Sequence, residues 1–198
     1  MGRHHKYGGS TTTRWLTCTA STSEIRKDVL SGKLVKGNTH SIYADHGTVA
    51  HYLGETCLRK NMDPQDFYMQ EFTCVKDKRK LTFIMDESFI DAVTVYVDYI
   101  RAKFAIAQYK AIEGRYKLKR YAPLKADCGG SADAVCVIGM TLHVDDYKHG
   151  QGEIVDAEEN TQAMLYGIGA LFKLRKSKPK LAEQLTHVQL GIIQPRAR

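Results

Sequence analysis

No apolar run in this chain approaches the length of a membrane span, and no signal peptide opens it. A membrane-embedded protein is therefore not expected. The five cysteines (Cys18, Cys57, Cys74, Cys128 and Cys136) are an odd number, and no two are close enough for a CxxC pair. Neither a disulfide framework nor a zinc site is suggested, so reduced thiols in a cytoplasmic protein are expected. There is one tryptophan, no internal repeat and no low-complexity segment. What remains is globular in composition, with 43% hydrophobic and 26% charged residues. At 198 residues it is one domain of ordinary size, or one with a small helical annex. The net charge of +7 and a pI near 9.1 favour an anionic partner.

The most informative stretch runs from Cys128 to Tyr166. Two alternating segments, Ser131–Ile138 and Thr141–Lys148, flank Gly139-Met140 and predict a β-hairpin with a two-residue loop. Folded symmetrically, it pairs Val137 with Leu142, Val135 with Val144 and Asp133 with Asp146, all on one face. Lys148 extends that face. Two carboxylates ~4 Å apart repel by about 4 kcal/mol at an effective dielectric near 20. Such a pair splays into solvent, shares a proton or holds a cation. Its position at the end of an apolar face favours the cation, and hard oxygen ligands suit magnesium or manganese.

Along the rest of the chain, residues 1–9 are basic and expected to be disordered. Ser10-Thr11-Thr12 supplies caps for a short helix bearing Arg14, Trp15 and Leu16, where Arg14 is a candidate phosphate contact. Residues 21–46 lack clear periodicity and predict a loose connection. A helix is expected from Val49 to Lys60, opened by Gly47-Thr48, with His51 and Glu55 four apart on one side. Two short strands follow, Phe67–Val75 and Leu81–Met85, around a basic turn. The clearest helix is capped by Asp86 or Ser88 and carries Ile90, Val93, Val97, Ile100, Phe104 and Ala107 at three- and four-residue steps. A strand over Tyr109–Tyr121 carries Lys110, Arg115, Lys117 and Lys119 as candidate phosphate contacts. Glu113 is its one acid, able to sit near the carboxylate pair if this strand neighbours the hairpin. After the hairpin, Asp156 with Glu159 reads as a capping box for a helix to about Arg175, from which Gln162 and Tyr166 project together. A strand over His187–Ile193 ends the pattern. The fold expected is α/β: a mostly helical part over 10–108, then a central mixed sheet flanked by helices.

These residues resemble the core of the PD-(D/E)XK nuclease superfamily, in its RecB-like exonuclease branch. Asp133 lies in GGSAD, where that family has a glycine-small-Asp strand; thirteen residues later Asp146-Tyr147-Lys148 matches its D-x-K, and Gln162 to Tyr166 its Q-x-x-x-Y. Gly47-Thr48-Val49-Ala50-His51 resembles the branch's G-T-x-x-H helix. Arg14-Trp15-Leu16-Thr17-Cys18 and Gln194-Pro195-Arg196 are similar to a phage and prophage subgroup, so the likeness spans roughly residues 10–196. Thr19 stands where the subgroup usually has proline, and its members tend to continue past the Gln-Pro-Arg motif.

The resemblance implies a restriction-endonuclease-like core in the order α-β-β-β-α-β. It implies that Asp133, Asp146 and His51 bind Mg2+ or Mn2+, with the Tyr147 carbonyl a further candidate ligand. Lys148 would activate the attacking water, while Gln162 and Tyr166 would touch DNA or brace the site. Glu113 and Glu55 would stand behind these ligands. Some relatives hold an iron–sulphur cluster through cysteines after the core; no cysteine follows Cys136, so no cluster is expected here. The activity implied is resection of duplex DNA ends in phage recombination or replication, in the host cytoplasm, beside a single-strand annealing protein and in a homo-oligomer. The alternatives are a structure- or site-specific endonuclease and a non-catalytic DNA-binding recombination module.

Overall fold

The computed structural model describes residues 7–18, 20–33, 41–118 and 128–197. Lys119, the end of the predicted strand at 119–121, residues 34–40 of the predicted connection and most of the N-terminal tail lie outside them.

The architecture is α/β. β4 (Tyr109–Lys117), β5 (Cys128–Ile138), β6 (Thr141–Tyr147) and β7 (His187–Ile193) form a mixed sheet in the order β4-β5-β6-β7. The first two pairings are antiparallel and β6–β7 is parallel. β1 (Tyr7–Gly8), expected within a disordered tail, instead pairs parallel with Cys128 and Gly129. The hairpin has the register read from the sequence for Val137↔Leu142 and Val135↔Val144, with Gly139 at φ +58 in its loop. Its ladder stops at Ala134↔Asp145, one pair short of the two acids.

Period-two alternation sorts the sheet's two faces. Val135, Val137, Leu142 and Val144 pack with Tyr166, Ala170 and Leu174 of α5 (Thr161–Ser177). Ala134 and Tyr147 point the other way, into a core built by α3 (Ile42–Lys60) and α4 (Glu87–Ile106). The periodic set Ile90, Val93, Val97 and Ile100 is fully buried there, as are Val49 and Leu53 of α3. A separate ribbon of β2 (Glu71–Lys76) and β3 (Arg79–Ile84) covers that core with Cys74 and Leu81. The short helix α1 (Thr12–Thr17) docks on the start of α5, where Thr161 Oγ1 donates to Thr12 Oγ1 at 2.8 Å. Among the described residues no helix is long and apolar enough to cross a membrane.

Several predicted boundaries are corrected. Helix α2 (Ser21–Leu30) occupies part of the expected connection; only Thr22 is buried in it, so it has no apolar stripe to detect. α3 starts at Ile42, not Val49, because Ser41 caps it by accepting from Tyr43 N at 3.2 Å. Its first turn leaves Ile42 and Tyr43 exposed, which hides it from periodicity. Ala107 lies just past the end of α4. β2 begins at Glu71 because Pro64–Phe67 forms a 3-10 turn instead of strand. α5 starts at Thr161, not Asp156. Glu159 is left-handed (φ +52), and the cap is Asn160, whose side chain accepts from Ala163 N at 3.0 Å and donates to Asp156 O.

Candidate metal centre

The centre forms where β4 and β5 meet the middle of α3. Asp133, 7% exposed, uses both oxygens: Oδ1 lies 3.0 Å from His51 Nδ1 and Oδ2 accepts from Tyr147 N at 2.7 Å. His51 stands at the mouth with 32% of its side chain exposed. Opposite Asp133 in the β4–β5 register, between Ile112↔Ala134 and Gly114↔Ala132, sits Glu113. Its φ of +51 takes it out of the ladder into the left-handed region. That conformation costs a non-glycine residue of order 1–3 kcal/mol and is typical of functional sites. It brings one ligand atom each from His51, Glu113 and Asp133 within 4.8 Å of one another.

Charge is out of balance here. Burial, then the Asp133 and Glu55 carboxylates, push Glu113 up to about 8. Asp133 is held below its ordinary value although burial opposes this, because His51, the Tyr147 amide and Glu113 all favour its ionised form. Burial also works against a charged His51, but the Asp133 carboxylate outweighs it and raises the imidazole. The two shifts favour a single proton on this pair of crowded carboxyls, resting on Glu113.

Asp146, 5% exposed, is not among the three clustered ligands; its Oδ2 pairs with Lys148 Nζ at 2.5 Å. Burial and then the charge of Asp133 raise its pKa, so the two acids feel each other. Tyr147 lies between these residues and is fully buried, stacked on Tyr96 at 4.7 Å and edge-on to His51 at 5.4 Å. Four buried aliphatic side chains on the hairpin face contribute ~1.5–3 kcal/mol each. That exceeds a repulsion of about 4 kcal/mol, so the sheet can hold its acids together without an ion.

Gln162 and Tyr166 act as a pair: Gln162 Nε2 donates to Tyr166 Oη at 2.9 Å. Tyr166 is 6% exposed, and burial pushes its phenol up to about 12. Its ring and hydroxyl lie close against Gly130 and Gly9, where a Cβ on either would collide with them. The second glycine of GGSAD is therefore a seat for Tyr166, which braces the strand carrying Asp133. Glu55 is ion-paired to Arg59 at 2.7 Å, and Arg59 also donates to Ile112 O next to Glu113. Arg14 is exposed on α1. Lys110, Arg115 and Lys117 are exposed along β4, which pairs only with β5 among the described strands.

Glu113, expected to stand behind the ligands, instead lies beside His51 and Asp133, and nothing in the sequence singles out His149. The signal for Glu113 was a lone acid in a basic strand, whose register with β5 no local pattern gives. Burial pushes the thiols of Cys57 and Cys136 up to about 11, which suits space-filling better than ligation.

No solved structure matches this chain. One family model does, over residues 4–198, nearly its whole length; the chain therefore belongs to the family described as "Protein of unknown function (DUF2800)".

Proposed function

We propose that this protein is a metal-dependent DNA exonuclease that hydrolyses phosphodiester bonds from duplex ends. The observation that carries this reading is the convergence of His51, Glu113 and Asp133 beside the Asp146–Lys148 pair. The donor set fits a divalent ion: two carboxylates and an imidazole, Asp133 buried and the other two half-buried, with Glu113 pushed up toward a proton that an ion would displace. A divalent ion held by these residues would polarise a phosphoryl oxygen and make a water nucleophilic at neutral pH. Lys148 carries the ammonium best placed to stabilise charge building on the phosphate oxygens. Asp146 anchors that ammonium, and its closeness to Asp133 completes the acidic side of the site. The Tyr147 peptide N–H orients Asp133, leaving its carbonyl as a candidate ligand. Gln162 and Tyr166 keep the Asp133 strand rigid. The net charge of +7, with exposed Lys110, Arg115, Lys117 and Arg14, supports sequence-independent attraction to the DNA backbone.

The likeness to RecB-like exonucleases of phages supports the same reading and suggests resection beside a single-strand annealing protein. The test is incubation of end-labelled linear duplex, single strand and closed circle with Mg2+, Mn2+ or EDTA. Metal-dependent loss of the linear duplex, with the circle intact, is expected. Asp146→Ala should abolish it while the circular dichroism spectrum stays unchanged. Cutting of the closed circle would make the protein an endonuclease. Salt-sensitive DNA binding without turnover in any metal would make it a non-catalytic module.

A further inference from the structure

One motif has no part in the chemistry above: Gln194-Pro195-Arg196, directly after β7. Its two polar residues are both held by side-chain hydrogen bonds. Gln194 Oε1 accepts from Val155 N at 3.0 Å, and its Nε2 donates to Gly150 O at 3.2 Å and Glu153 O at 3.1 Å. These bonds fold the loop after Lys148 back onto the end of the sheet. Arg196 Nη1 lies 2.8 Å from His149 Nε2, and His149 Nδ1 lies 2.8 Å from Tyr147 Oη. A guanidinium can only donate, so Nε2 accepts, and the ring's single N–H, on Nδ1, is aimed at the tyrosine oxygen. His149 is 4% exposed and held neutral, pushed down to about 3 by burial and then by Arg196. Arg196 is fixed in turn by Gln151, whose amide, with its oxygen facing the guanidinium, accepts from Nε at 3.2 Å.

The chain of contacts runs on into the site. Tyr147, gripped at its hydroxyl by His149 and over its ring by Tyr96, presents its backbone N–H to Asp133 Oδ2. On either side of it are Asp146 and Lys148, and Lys148 N donates to Ile193 O at 2.8 Å, the residue before Gln194. We infer that Arg196, His149 and Tyr147 form a positioning relay that fixes the Asp133 and Asp146 carboxylates for the metal. Arg196 reaches the metal centre only through His149 and Tyr147, neither touching substrate nor ligating the ion. The inference rests on the metal-dependent reading of the site. Outer partners of this kind set ligand orientation, and their loss typically costs 10–100-fold in metal affinity or activity.

The test is Mn2+ affinity by calorimetry on the full chain, without DNA, for Tyr147→Phe, Arg196→Gln and the double variant. Tyr147→Phe removes one oxygen and keeps the packed ring, so it is the variant least prone to unfolding. Each single change should weaken Mn2+ binding about tenfold or more. The double should be no worse than the weaker-binding single, because both cut the same relay. Arg196→Lys, which keeps a donor, should recover part of the loss. DNA affinity in EDTA should stay within about twofold. Mn2+ affinities of both single variants within twofold of the parent would overturn the relay. So would additive losses in the double, or a fall in DNA affinity at Arg196→Gln with Mn2+ binding intact, which would make Arg196 a phosphate contact. An unaltered protein that binds no Mn2+ would instead sink the metal-dependent reading itself.

Discussion

Asp145 and Asp146 are neighbours on one strand, equally dry, and have opposite fates. Asp145 is 1% exposed and faces α4, where Lys103 Nζ lies 2.9 Å from Oδ1 and 2.8 Å from Oδ2. Its carboxylate lies over Gly191 of β7, where a Cβ would collide with it, and Lys103 also sits 4.7 Å above the Tyr99 ring. Asp146 points to the other face, toward Asp133, with its lysine only two residues away on the same strand end. One carboxylate has a partner that closes a packed interface. The other has a partner beside an opening and an excess of acid around it. Similar burial thus hides two electrostatic settings, one in which the charges balance and one in which they do not.

The largest effect expected follows from that contrast. Asp146→Asn should cost turnover on linear DNA on the order of 10³-fold or more while leaving the melting temperature unchanged or slightly higher, since it relieves repulsion with Asp133. Asp145→Asn should do the reverse, destabilising the fold and sparing turnover per folded molecule. The pair of measurements is magnesium-dependent digestion and thermal melting in EDTA. Equal losses of activity at matched folded fraction would erase the distinction between the two residues.

The sequence made one half of this comparison visible and not the other. Asp133, Asp146 and Lys148 fall on one face by alternation within a hairpin whose loop glycine marks the register, so local chemistry was enough. The Lys103–Asp145 pair joins residues 42 apart through helix packing that no local pattern encodes. Glu113 is visible in the sequence as a charge but not as a neighbour of Asp133, because its left-handed backbone and its place opposite that residue emerge only when β4 pairs with β5. The helix α2 gives no sequence signal because it buries almost nothing, and α5 starts at Thr161 because the left-handed Glu159 interrupts the chain before the Asn160 cap. Patterns that depend on burial are read well; polar helices and long-range pairs are not.

Breaking the structural pair comes next in size. Lys103→Met should strand the Asp145 charge in a dry site and cost about 3–5 kcal/mol, read from denaturant unfolding. Combining it with Asp145→Asn should recover much of that loss, since no charge is then left unpaired. Simple addition of the two losses would mean that Lys103 stabilises through its packed stem and the Tyr99 contact instead of through the ion pair.

The smallest effect is a pH dependence confined to the acidic side of the comparison. Glu113 has an ordinary value of 4.5 when unfolded and about 8 in the fold, so between those limits the native state binds the extra proton. Stability then falls as pH rises, because each step favours the chain that has already released it. His51 acts in the same sense: its raised value gives stability present at low pH and lost as the imidazole deprotonates. Asp146, also raised, adds to this fall, while Asp133 acts oppositely below its ordinary 3.8 and His149, pushed down to about 3, acts oppositely up to its ordinary 6.5. In EDTA the melting temperature should therefore drop between about pH 6.5 and pH 8, where His149 no longer offsets Glu113, and Glu113→Gln should flatten most of that slope. A change of about 1 kcal/mol moves the midpoint by ~2–4 °C in a domain of this size, enough to measure. Added Mg2+ should raise the midpoint more at pH 8 than at pH 6, since at the lower pH it must displace a proton. A midpoint that is flat between about pH 6.5 and pH 8 in EDTA would mean that Glu113 is already ionised beside Asp133 at neutral pH, without help from an ion.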